Sequence, residues 1–217
     1  MPLQSREWPD QVSNLSVKNP YIEKLSTHSH LLTTQAQVWD YFSKQHSILE
    51  IGCGHGHFLA NYLLRRPELT GLGVDRRFKR LFKTGQKLGV DSKSKVFFGD
   101  APTLLKDSPA DFWEEIWMQF PDPWPKDRHS KNRMLNEEFM TNVFRSLKPG
   151  GMFCFISDHK DYWEELQNWQ NEQKSFSGSE FLAGDLFADL PASLFKISMI
   201  RHHVPIFSAR LSKTRAS

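Results

Sequence analysis

Apolar positions along this chain fall in short blocks whose period switches between strand-like runs and a helical repeat of about 3.6 residues. Ser47 to Ile51, Thr70 to Asp75, Lys95 to Phe98, Glu115 to Phe120 and Met152 to Ile156 are compact runs of strand length bounded by turn formers. Between them the pattern turns helical. Val38, Trp39 and Phe42 share one face of a segment from Thr34 to Lys44, and a helix is expected from Phe58 to Arg66, closed by Pro67. Arg77 to Leu88 predicts another, with Gly89 at its end, and Leu135 to Leu147 a further one, stopped by the turn Lys148-Pro149-Gly150-Gly151. Tyr162 to Trp169 continues the series. Strand and helix alternating at this spacing mean βαβ units and a parallel sheet, so the fold class is α/β.

The two ends read differently. Residues 1–30 are polar with no clear period and predict a flexible or loosely docked arm, which leaves 31–217 as a single domain. From Asn171 to Pro191 a loop, a short helix near Phe181 to Phe187, or both are compatible with the residues. Ser193 to Leu211 has enough β-branched and aromatic residues to predict two further strands.

Composition narrows the class without naming a reaction. A chain of 217 residues, 39% hydrophobic and 24% charged, suits one soluble α/β domain with a sizeable core. No apolar run nears the roughly 20 residues of a membrane span, and Met1 to Asp10 has no signal-peptide pattern. Two cysteines, Cys53 and Cys154, lack metal-ligand spacing, and a reduced cytoplasmic protein is the simplest account. The pairs His28/His30 and His55/His57 have no third ligand at a recognisable spacing, so no metal is expected. Net charge is only +3, yet the cations cluster. Arg76, Arg77, Lys79, Arg80, Lys83 and Lys87 form one group, Lys126 to Arg133 a second, and Arg201, Arg210, Lys213 and Arg215 a third. Three such groups predict a local phosphate-contacting surface.

Candidate chemistry begins after the first strand, at Glu50-Ile51-Gly52-Cys53-Gly54-His55-Gly56. Glycines there let the backbone approach a ligand. A dinucleotide site would need G-x-G-x-x-G, which places its third glycine at residue 57, but that residue is His57. E-x-G-x-G-x-G resembles instead the loop of class I S-adenosylmethionine (SAM)-dependent methyltransferases. Asp75 closes the second strand, where it can accept hydrogen bonds from ribose hydroxyls. Asp100 and Ala101 follow the third, where that class places a carboxylate at the adenine amino group. Ligands of open α/β sheets bind outside the carboxyl ends of strands, where all these acids fall.

The second focus is Phe120-Pro121-Asp122-Pro123-Trp124-Pro125-Lys126, which continues through Arg128, His129, Lys131 and Arg133. Each proline fixes φ near −65° and keeps its predecessor extended, so Asp122 is held rigidly just past a strand with a cationic loop behind it. That arrangement suits an anionic polymer. Trp124 serves either as an anchor for the proline turn or as a stacking platform for an extruded base. His129 either meets phosphate when protonated or is simply exposed.

This motif closely resembles the signature of the bacterial tRNA (guanine-N7-)-methyltransferase family, and the similarity runs from about Ile48 to Leu166. Leu147 to Gly151, Ser157-Asp158 and Tyr162 follow in the family's order. The resemblance implies a Rossmann-like domain with a mostly parallel seven-stranded sheet flanked by helices, acting as a monomer or homodimer. It implies methyl transfer from SAM to N7 of the guanine at position 46, in the variable loop of tRNA. Glu50, Gly52, Gly54, Gly56, Asp75, Asp100, Ala101 and Asp122 would surround SAM, with Asp122 at the catalytic position. Lys126, Arg128 and Asp158 would contact substrate, as would Ser193 and Lys196, which occupy the places of a C-terminal Thr-x-x-Glu motif. Three departures stand out: Asp75 where Glu is common, Asn132 in place of a cation, and Lys196 in place of a carboxylate. The alternatives are a methyltransferase with another substrate and an RNA-binding or partner subunit that has lost turnover, which Lys196 would favour.

Overall fold

The computed structural model describes residues 20–89, 91–122, 134–173, 176 and 178–214. Its elements run α1 (Pro20–Ser26), β1 (Leu31–Leu32), α2 (Gln35–Phe42), β2 (Ser47–Ile51), α3 (His57–Arg65), β3 (Thr70–Asp75), α4 (Phe78–Leu88), β4 (Lys95–Phe98), α5 (Ala101–Asp107), β5 (Trp113–Gln119), α6 (Glu137–Ser146), β6 (Leu147–Ser157), α7 (Lys160–Gln173), β7 (Gly178–Leu182), α8 (Leu194–Arg201) and β8 (Phe207–Ser212). Local chemistry sets many of the helix starts. Thr34 and Gln37 form a reciprocal capping box on α2, and the Asp100, Asn136 and Ser193 side chains each accept a first-turn N–H of α5, α6 and α8.

One sheet joins every strand in the order β1-β4-β3-β2-β5-β6-β8-β7, parallel throughout except for β8, which is antiparallel to both its neighbours. The chain winds outward from β2 to β3 and β4, then crosses back to β5 on the other side of β2. That reversal opens a crevice at the carboxyl ends of β2 and β5. β2 and β3 are buried along their whole length, as strands covered on both faces must be. One face packs Leu49, Ile51, Ile116, Met118, Phe153 and Phe155 against α2, α6 and α7. The other packs Ile48, Trp117, Cys154 and Ile156 against Phe58, Leu59 and Tyr62 of α3 and against Phe187.

The class and the central elements match the sequence reading, with eight strands among the described residues rather than seven. Four expectations need correction. The arm does not reach residue 30: α1 buries Ile22 and Leu25 against Phe78, Leu81 and Val96, and β1 adds to the sheet beside β4. With so few apolar residues in a short turn of helix, no period was visible. The turn expected at Lys148 to Gly151 lies inside β6, which starts at Leu147 and bulges between its pairings with Trp113 and Glu115. Between 171 and 191, α7 runs on to Gln173 and the next regular element among the described residues is β7, an exposed edge strand held by its ladder to β8 rather than by an apolar face. The end contains one strand, β8, and the helix α8.

No helix among the described residues is long and apolar enough to cross a membrane.

Candidate SAM and RNA site

Parallel pairing brings the predicted acids to one rim of the sheet. In sheet order they are Asp100 after β4, Asp75 at the end of β3, Glu50 near the end of β2, Asp122 beyond β5 and Asp158 beyond β6. The glycine loop connects β2 to α3 across the middle of this rim. Gly52, Gly54 and Gly56 all have positive φ (69°, 57° and 72°), a region that L-residues rarely occupy. A Cβ on Gly52 would meet nothing within 4 Å, so its backbone faces open space, as a ligand cradle requires. Gly56 is there for packing: a Cβ would lie 2.7 Å from Thr84 Cγ2 of α4.

Side chains hold the loop in shape. Asp75, 6% exposed, accepts the Gly54 N–H at 3.2 Å and the Arg77 N–H at 2.9 Å, with the Arg80 guanidinium 3.5 Å away. Thr84 donates to the Gly54 carbonyl at 3.0 Å. Sequence reading missed Thr84, which lies inside an amphipathic helix with no motif around it, and grouped Arg80 with the phosphate-contacting cations, whereas it pairs with Asp75. Asp100 caps α5 through the Thr103 N–H and hydroxyl while staying partly exposed, and Ala101 is buried behind it.

Glu50 is the deepest of the acids, at 2% exposure. Its carboxyl accepts the Leu59 N–H at the start of α3, yet Oε2 has no partner among the described residues. Burial, reinforced by nearby Asp75, pushes this carboxyl well above the usual carboxylate range. A folded-state pKa above the unfolded value gives a stability contribution that is complete below the ordinary carboxylate range. It is lost as pH rises through the raised folded value. Glu50→Gln is therefore expected to flatten the pH dependence of melting in the ligand-free protein and to raise its Tm near pH 7, because an amide is less costly to bury than a charge. Melting curves across pH check this, and parallel curves for the two proteins would contradict it.

At the end of β5, Phe120 takes φ 47° while donating its N–H to the Ile156 carbonyl at 2.7 Å. A left-handed Phe is strained, and its ring is fixed by a contact with Phe195 of α8 at 4.9 Å. This bend, followed by Pro121, carries Asp122 out of the ladder into an exposed position. Trp124, Lys126, Arg128, His129, Lys131 and Asn132 lie outside the described residues.

Two of the substrate candidates differ from expectation. The Ser193 hydroxyl is engaged in capping α8. Lys196, 2% exposed, points inward to Asp185 Oδ2 at 2.7 Å and the Phe187 carbonyl at 2.8 Å. Its charge is spent within the fold, so it carries no sign of a lost catalytic face. Two members of the third basic group are committed within the fold: Lys213 pairs with Asp111 at 2.7 Å and bonds the Leu147 carbonyl, and Arg210 pairs with Glu180, while Arg201 is exposed and Arg215 lies outside the described residues. In the first group Arg76 and Arg77, just ahead of α4, and Lys79 and Lys87 within it are exposed, with the Arg76 side chain 79% exposed and 3.9 Å from Asp100. Cys53 and Cys154 are buried free thiols whose pKa burial pushes well up, which leaves them unreactive. No group of three or more potential metal-ligating side chains occurs among the described residues.

A glycine loop opening a helix at the switch point, with acids at successive strand ends, defines the SAM-dependent methyltransferase fold. A solved structure of phosphoethanolamine N-methyltransferase 2 from Haemonchus contortus, in complex with S-adenosyl-L-methionine, shares it with a TM-score of 0.52 at 13% identity, over 84% of this chain and 52% of that one. Residues 44–181 match the family described as "Putative methyltransferase". The tRNA (guanine-N(7)-)-methyltransferase of Syntrophotalea carbinolica is 31% identical over 75% of this chain and 70% of its own length. That of Rhizobium johnstonii is 36% identical over 52% of this chain, and the match spans 50% of that relative. The chain belongs to the tRNA (guanine-N7-)-methyltransferase family.

Proposed function

We propose that this protein transfers a methyl group from SAM to N7 of a guanine in tRNA, in the variable loop. The observation that carries this reading is the rim itself: an open glycine cradle with a buried, half-satisfied Glu50 beside a strained strand end that presents Asp122. The residues fit the cofactor. Gly52 leaves room for close backbone approach, Glu50 offers a buried acceptor, and Asp75 and Asp100 line the adjacent strand ends. The activity of the Syntrophotalea relative and the SAM held by the Haemonchus neighbour support the same assignment.

When bound, SAM supplies an electrophilic methyl group on a sulfonium. The chain's own residues then need to do little acid–base work, since guanine N7 already carries a free lone pair. Alkylation there makes the guanine ring cationic. Asp122, fixed beyond β5, stabilises that developing charge and orients the base, a preorganised electrostatic role rather than proton abstraction. Lys126, Arg128 and Asp158 are the proposed tRNA contacts, while Ser193 and Lys196 serve α8 internally. A tRNA substrate agrees with the reduced cytoplasmic setting expected from the unpaired cysteines.

Incubation with unmodified tRNA and labelled SAM, followed by mapping of the product, tests this reading. N7-methylguanosine in the variable loop is expected. SAM binding without any such product would defeat the substrate assignment, and absence of SAM binding would defeat the enzyme reading. Lys126→Ala and Arg128→Ala should each weaken tRNA binding and lower the slope of log affinity against log salt by about 1. An unchanged slope would argue against a phosphate role.

A further inference from the structure

Gln119, the last residue of β5, has both amide atoms shielded from solvent and without a hydrogen-bond partner among the described residues. A buried primary amide left this way loses its hydration without a replacement bond, so a position holding two unmet groups calls for an explanation. Its location supplies one. Glu50 stands opposite Trp117 in the β2–β5 ladder, and the ladder ends at Ile51 opposite Met118. Side chains alternate along a strand, so Gln119 projects on the face that carries Trp117 and Glu50, one pleat nearer the rim. Its partner across β6 is Ile156, which belongs to the same face. That face is covered by α3, whose first turn already donates the Leu59 N–H to Glu50. Two unsatisfied groups, Glu50 Oε2 and the Gln119 amide, thus share one face of adjacent strands, with Gln119 diagonal to Glu50 and nearer the rim.

We propose that Gln119 is a binding residue for the zwitterionic α-amino-acid end of the cofactor, an inference that rests on the SAM reading above. The chemistry of the pair matches that ligand class. A carboxylate oxygen and an amide oxygen are acceptors for an α-ammonium, and the amide nitrogen is a donor to the adjacent α-carboxylate. Glutamine supplies both halves from one side chain. In the same reading the nucleoside end is assigned to Asp75 and Asp100, at the ends of β3 and β4 on the other side of β2, which leaves the amino-acid end for this face. In chemical terms, Gln119 selects a ligand that bears an amino acid over a bare thioether nucleoside.

Calorimetric titration of the full chain with S-adenosylhomocysteine and with 5′-methylthioadenosine, which lacks the amino-acid end, separates the possibilities. Gln119→Leu should weaken S-adenosylhomocysteine binding at least about tenfold and leave methylthioadenosine binding within about twofold, since only the first ligand loses buried charged hydrogen bonds. Gln119→Glu, which keeps the shape but adds repulsion toward the ligand carboxylate, should show the same selectivity and covers the case in which the leucine variant fails to fold. Equal losses for both ligands, or no loss for either, would overturn the inference and assign Gln119 a role within the protein. If the unsubstituted protein binds neither ligand, the SAM reading itself fails and takes this inference with it.

Discussion

Asp122→Ala is expected to lower methyl transfer to tRNA by about 10²- to 10³-fold, the range found when one preorganised electrostatic group is removed from an active site. Affinity for tRNA should stay nearly unchanged. Asp122 is exposed, lies outside every helix and strand, and forms no ion pair or hydrogen bond with the described residues. Its loss should therefore move stability by no more than about 0.5 kcal/mol, as for other surface substitutions away from special features. Asp122→Asn keeps the shape and one acceptor but removes the charge, and should fall between the two. Single-turnover rates, tRNA binding by filter retention and a melting curve distinguish the outcomes. A parallel fall in rate and tRNA affinity would mean that Asp122 shapes the loop rather than meeting a developing positive charge.

Lys196→Ala should destabilise the protein by about 3 kcal/mol, near the low end for breaking a buried pair because Asp185 keeps 16% of its side-chain surface. The substitution strands the Asp185 carboxylate and the Phe187 carbonyl together. Lys196→Glu, which introduces the family's carboxylate, should be worse, since two acids would then face each other. The Asp185→Ala change made alongside Lys196→Ala should recover part of the loss, giving a positive coupling in a double-mutant cycle. Urea denaturation provides the numbers. Full stability in Lys196→Glu would show that the pair contributes nothing. The effect should also reach activity: α8 carries Phe195, whose ring meets Phe120 at the bend that presents Asp122. Residues 183–193 are also tied to α3, through the Arg65 guanidinium on the Asp189 carbonyl at 2.8 Å.

The Lys196 pair shows where sequence reading lost sight of the site. The family resemblance puts this residue at the place expected for a substrate carboxylate, and a surface lysine there would suggest altered chemistry. Its partner Asp185 lies eleven positions earlier in a stretch without period, so only the folded chain reveals that the charge is internal. Gln119 was missed for a related reason. Within the run Trp113–Gln119 it reads as one more strand residue, and the fact that its amide finds no partner emerges only when β2, β6 and α3 close around it. By contrast Glu50, Gly52, Gly54, Gly56, Asp75 and Asp100 were legible because each sits at a strand end, where pattern and chemistry coincide.

By itself the sequence determined the alternating α/β order, the glycine loop, the acids at the strand ends and the proline-held Asp122. These depend on local rules: apolar period, the conformational freedom of glycine, and the fixed φ of proline. The tertiary structure alone decided what depends on partners distant in the chain. Strand β7 exists because β8 offers it a ladder, and α1 is folded because α4 and β4 cover its two apolar side chains. The inward turn of Lys196 and the Gln119 amide, unmet among the described residues on the face that carries Glu50, are of the same kind. Burial and hydrogen bonding are properties of neighbourhoods, and only the folded chain assembles them.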